Sequence, residues 1–152
     1  MERDDGARPQ ERFSWPFLAL AIAWMLLLHE LLLSEPGRLP LPRAPSFLWN
    51  LGHVALYAPL GALLYLGLPK THAFVLLAVA VAGAHGAVME LLQGTVQGRS
   101  SDPVDAVTNV FGAALGVALL AWLSALGRRK ASPVPVLVLL GLAMASAAVA
   151  SL

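Results

Sequence analysis

Five stretches of the chain are apolar for long enough to cross a bilayer, and its polar residues gather at their ends. The runs cover residues 15–33, 51–68, 73–92, 103–126 and 134–152. Each approaches the roughly 20 residues that a membrane-spanning helix needs. Before the first run, residues 1–14 are polar and lack helical apolar periodicity, which predicts a solvated tail. Arg12 ahead of that run mimics a signal peptide, but no small-residue cleavage motif follows, so the run reads as a retained helix. Residues 34–49 hold Pro36, Pro40, Pro42 and Pro45, a density that stops any helix and predicts an extended connection at the membrane surface. A turn of a few residues around Lys70 makes the second and third helices antiparallel neighbours. Asp102 followed by Pro103 starts the fourth helix, because Asp caps free amides and Pro suits the first turn. Gly127 then ends it ahead of Arg128, Arg129 and Lys130.

The expected fold is therefore all-α: a polytopic membrane helical bundle of about five transmembrane helices with short loops, one domain over residues 15–152 behind the tail. Composition agrees, with 58% hydrophobic and 12% charged residues in 152 and a mean hydropathy of +0.72. A net charge of +1, without a basic stripe, argues against nucleic acid as a partner. With no cysteine there is no disulfide, thiol nucleophile or thiolate metal site, so any chemistry falls to His, Asp, Glu or Ser.

If every run crosses, Arg3, Arg8, Arg12, Lys70 and the Arg128 to Lys130 cluster share one side, against Arg38, Arg43 and Arg99 on the other. The positive-inside rule then predicts a multi-pass protein of the cell membrane with a cytoplasmic N-terminus and an extracytoplasmic C-terminus. On the outer side of that arrangement lie the costly groups. His29 and Glu30 close the first helix, His53 opens the second, Glu90 and Gln93 close the third, and Asp105 and Asn109 open the fourth. Ionisable groups at membrane depth each call for a partner or a purpose. Asp105, Asn109, Gly112 and Gly116 share one face of a helix, as do His53, Tyr57 and Gly61 on the second helix and Gly86, Glu90 and Gln93 on the third. This pattern predicts three helices packed through glycines beneath a shared polar mouth. His85 falls off the Glu90 stripe and His72 lies at the opposite end, so neither joins it. Plainer roles compete: Asp105 as a first-turn cap, Asn109 as an interhelical hydrogen bond, Glu90 as an ion-pair partner of Arg99 or His53.

His53, then Glu90-Leu-Leu-Gln93, then Gly98-Arg99-Ser100-Ser101, then Asp105-Ala-Val-Thr-Asn109 with Gly112 and Gly116 resemble the VanZ-like family pattern over residues 50–126. The family often has an Asp-Lys pair just before its His, where this chain has Trp49 and Asn50. The resemblance implies a small multi-helix protein of the cell envelope, and its named member is associated with low-level resistance to the glycopeptide teicoplanin. No reaction comes attached to it.

Three functions are open at this point. In the first, Arg99, Gln93, Asn109 and Ser101 bind the headgroup of a membrane lipid or a lipid-linked envelope precursor, with Arg99 suited to phosphate oxygens and the fourth helix offering its positive end. In the second, His53, Glu90 or Asp105 act as catalytic groups on a lipid-linked phosphate or ester, so that enzyme activity is left open. The third is an accessory role, with the small-residue last helix, including Gly141 and Ser146, packing against a membrane-protein partner. A divalent ion on Glu90, Asp105 and His53 is a variant of the second, but no metal and no cofactor is assigned.

Overall fold

The computed structural model describes residues 12–34, 46–98, 101–126, 136, 138–142 and 145. Its described residues are all helix or connecting turn, in the order α1 Trp15–Leu33, α2 Ser46–Gly67, α3 His72–Gln93 and α4 Pro103–Leu126. Helical positions at Val136 and Val138 to Leu142 mark the last apolar run. Helices α1, α3 and α4 are each long and apolar enough to cross a membrane, and Leu51–Gly67 of α2 is a shorter apolar helix. Large apolar side chains cover the outside, among them Leu26 at 64%, Leu76 at 70% and Leu91 at 71% exposed, as a bundle solvated by lipid requires.

One expectation needs correction: α2 begins at Ser46, so the end of the proline-rich segment, residues 46–49, is helical. A proline restrains itself and the residue before it but suits the position just ahead of a helix, so Pro45 permits helix from the next residue on. The prolines up to Pro45, the tail before Arg12 and the Arg128 cluster lie outside the described residues.

Antiparallel packing follows from the short Lys70 turn. The Ser14 amide donates to the Gly67 carbonyl at 2.8 Å, placing the start of α1 beside the end of α2. Phe13 packs edge-on against Phe74 at 5.6 Å, bringing the start of α3 to the same end, so the last residues of the tail dock on the bundle. Lys70 closes that end by donating to the carbonyls of Tyr65 and Leu68 while lying over the Tyr65 ring. Burial there lowers its ammonium pKa from the ordinary lysine value. Thr71 caps α3 by accepting from the Phe74 amide at 3.5 Å.

The α2–α4 pair is the most extensive contact in the bundle. Glycine makes it so. A Cβ on Gly61 would collide with the Ala113 carbonyl, and one on Gly116 would collide with the Ala58 carbonyl. A Cβ on Gly112 would stand 2.9 Å from the Val54 backbone. The third helix joins in the same way, since a Cβ on Gly86 would stand 2.8 Å from Asn109 Cβ. The predicted packing of three helices through these glycines is what the structure holds. By contrast Gly141 has nothing within 4 Å of an added Cβ, and Val138, Leu140 and Leu142 beside it are exposed.

Gly61→Val and Gly116→Val are each expected to destabilise the bundle by about 2–3 kcal/mol, because the carbonyls they meet belong to helix backbone and cannot yield. Gly52→Ala, where an added Cβ meets nothing within 4 Å, should be neutral or stabilising by up to about 1 kcal/mol. Thermal unfolding in nanodiscs followed by circular dichroism checks all three.

Candidate functional site

At the end of the bundle away from Lys70, the start of α2, the end of α3 and the start of α4 bring His53, Glu90, Asp105 and Asn109 together. Nδ1 of His53 lies 3.0 Å from Oδ1 of Asn109. The same ring reaches Oε1 of Glu90 at 3.9 Å from Nδ1 and Oδ2 of Asp105 at 3.5 Å from Nε2. Glu90 and Asn109 are buried, at 3% and 0% exposure, while His53 and Asp105 keep 14% and 15% of their side chains accessible. The cluster is thus buried on the Glu90 and Asn109 side and partly accessible at His53 and Asp105.

Local capping explains why Asp105 is free to join it. Asp102 is the N-cap of α4, its Oδ1 accepting from the Val104 amide at 2.8 Å. Asp105 stands three residues on, where a capping-box acid would reach back to the amide of Asp102. That amide instead donates to Glu90 Oε2 at 3.2 Å, across from α3. Glu90 therefore locks the end of α3 to the start of α4 and displaces Asp105 from the first-turn cap role. Asp105 turns toward His53.

Several polar atoms in the region are buried without a hydrogen-bond partner among the described residues: Glu90 Oε1, Asp105 Oδ1, Asn109 Nδ2 and Gln93 Nε2. Such atoms ordinarily cost about 1–3 kcal/mol each. Together they make this corner the most polar part of the described bundle interior.

Of the other residues singled out from the sequence, Gln93 is buried at 4% exposure one turn beyond Glu90. Ser101 is exposed, its Cβ packed near Gly94 in the loop that follows. Gly98 takes φ 79°, a left-handed conformation suited to glycine. Arg99 lies outside the described residues. His29 and Glu30 are exposed and line a separate shallow hollow with Leu33 and Ser34.

His85 stands apart from the cluster, as its place off the Glu90 stripe predicts, but its partner was not foreseen. It lies one layer deeper, its Nδ1 3.1 Å from the hydroxyl of the fully buried Tyr57. The indole of Trp24, donating to the Leu56 carbonyl at 2.9 Å, ties α1 to the bundle. Tyr57 on the His53 stripe was the signal that could have found the His85 pairing, because a buried hydroxyl needs a partner.

Fold and site together define a small multi-pass membrane helical bundle carrying a buried polar cluster at one end. The chain belongs to the VanZ/LLP1 family, whose model matches residues 10–124 and so takes in α1 as well as the segment that carries the motifs. No curated protein and no solved structure matches the chain.

Glu90→Gln keeps an oxygen for the Asp102 amide while removing a buried charge, so stability should hold within about 1 kcal/mol or rise, whereas Glu90→Ala orphans that amide at a cost of about 1–3 kcal/mol. Tyr57→Phe leaves His85 Nδ1 without its hydroxyl partner and should cost about 1 kcal/mol. Denaturation of the three variants in nanodiscs reads both effects.

Proposed function

We propose that the mouth of the bundle recognises the polar headgroup of a membrane lipid or a lipid-linked phosphate at the outer face of the cell membrane. The observation that carries this reading is the convergence of His53, Glu90, Asp105 and Asn109, from three helix ends, around buried polar atoms that have no partner among the described residues. Polar and charged groups at membrane depth are costly unless they are paired or used. Unpaired amide donors on Gln93 and Asn109 suit phosphate or carbonyl oxygens, and Arg99 in the adjoining loop adds a fork of donors that fits a phosphate. Glu90 and Asp105 orient the donors and accept from hydroxyl or ammonium groups of the same headgroup. The outer placement rests on the distribution of Arg and Lys, which favours a cytoplasmic N-terminus and, with five crossings, an extracytoplasmic C-terminus. A contribution to glycopeptide tolerance belongs to this reading, since the targets of such compounds are envelope precursors.

A second reading is catalysis at the same place, with His53 as general base or acid toward a lipid-linked phosphate or ester. The observation in its favour is the orientation of the ring, held at one nitrogen by Asn109 and facing Asp105 with the other.

Native mass spectra of the wild type in nanodiscs are expected to show a co-purified lipid or lipid-linked phosphate that is absent from folded Arg99→Ala and Glu90→Gln. A mass change of that ligand on incubation would select catalysis over recognition. Spectra with no specific ligand on the wild type would contradict both.

A further inference from the structure

We propose that His53, Glu90 and Asp105 bind a divalent first-row transition metal ion, zinc by preference, at the mouth of the bundle. This goes beyond the headgroup reading and does not rest on it: the ion site stands or falls on protein ligands alone.

The donor set comes first. One ligand atom from each of the three residues lies within 4.8 Å of the other two. Donors that share one zinc at about 2.0–2.2 Å stand roughly 3–4 Å apart, so the trio closes on an ion through small side-chain adjustments. One imidazole with two carboxylates suits zinc and its first-row neighbours, while the nitrogen ligand discriminates against magnesium and calcium.

Hydrogen bonding then orients the ring for metal. With Asn109 Oδ1 as acceptor at 3.0 Å, the proton of His53 sits on Nδ1. Nε2 of a neutral ring then presents a lone pair toward Asp105 Oδ2 at 3.5 Å, one acceptor facing another. Either a proton on one of the two atoms or a metal ion has to lie between them. An imidazole whose far nitrogen donates to a fixed oxygen is the usual support of a metal-bound histidine.

A third, independent observation concerns Glu90. This side chain is 3% exposed, its Oε2 engaged by the Asp102 amide, and its Oε1, without a hydrogen-bond partner among the described residues, lies 3.9 Å from Nδ1 of His53. Asp105 Oδ1 is in the same condition. Two carboxylates facing one imidazole in a low-dielectric corner leave excess negative charge, which a divalent cation removes. Partial exposure of His53 and Asp105 gives the ion a path from the aqueous side and leaves room for water or a headgroup oxygen to complete its coordination.

There is a sharp rival arrangement. Rotating the Asn109 amide by half a turn would let Nδ2 donate to Nδ1 of His53, and the ring would then donate from Nε2 to Asp105, closing the cluster without an ion.

The test is zinc titration by calorimetry of the full chain in nanodiscs, purified without a polyhistidine tag. Saturable uptake of one ion per chain is expected, undiminished by excess magnesium. It should be abolished in Glu90→Gln and Asp105→Asn, weakened about 10- to 100-fold in Asn109→Ala, and unchanged in His29→Gln and His72→Gln. X-ray absorption of the zinc-loaded wild type keeps the proposal falsifiable should a variant fail to fold: one imidazole nitrogen among oxygen donors at about 2.0–2.2 Å is expected. Absence of stoichiometric uptake, uptake lost with His29 or His72 instead, or a shell of several imidazoles would overturn the proposal, the first of these favouring the closed neutral cluster.

Discussion

Contact between the backbones of α2 and α4, made through Gly61, Gly112 and Gly116, sets the register on which the polar mouth depends. Between helices in lipid there is little hydrophobic force, so close backbone approach and the dispersion it allows must hold the pair. Gly112 meets the backbone at Val54, directly after His53, and the next contact along lies a helical turn deeper, where Gly116 meets Ala58. Asn109 is one turn above Gly112, which brings its amide to the His53 ring. A slip of either helix would rotate one partner out of reach. Gly86 then admits α3 against Asn109 and delivers Glu90 to the same point.

What the glycines build is expensive to keep. Glu90 is buried in a membrane bundle, and among the described residues its hydrogen bond goes to the Asp102 backbone amide at the start of α4. Its role at the junction of α3 and α4 is structural in part, because it accepts from the Asp102 amide in place of a capping-box acid at Asp105. A neutral amide would serve that purpose equally well. The carboxylate, the second acid at Asp105 and the imidazole meet where α2, α3 and α4 converge. The layer beneath differs in kind: Tyr57, His85 and Trp24 satisfy one another or nearby carbonyls, and Trp24 holds α1 in place.

Much of this was legible in the sequence because membrane proteins separate their signals. Length of apolar run located the helices, short turns made neighbours antiparallel, and the i, i+4 and i+7 spacing put Asp105, Asn109 and Gly112 on one face with glycine beneath polar residues. The start of α2 was less legible, since the prolines before Ser46 mask helix that follows them. Asp102 was legible as the cap of α4, but the partner of its own backbone amide was not. Sequence distance favours Asp105, and only the tertiary approach of α3 hands that amide to Glu90. The partner of His85 escaped for a related reason: helical periodicity identifies partners along one face, whereas His85 meets Tyr57 on α2.

The central claim is that the ends of α2, α3 and α4 meet at His53 within the bilayer-embedded protein. Solid-state NMR dipolar recoupling in lipid bilayers, between 15N-labelled histidine rings and 13Cγ of asparagine and aspartate, measures that meeting directly. The account predicts strong dephasing of His53 Nδ1 by Asn109 and of Nε2 by Asp105, consistent with the separations of 3.0 and 3.5 Å, with Nδ1 carrying the proton. A His53 ring that shows no coupling to either side chain and exchanges freely with water would contradict it.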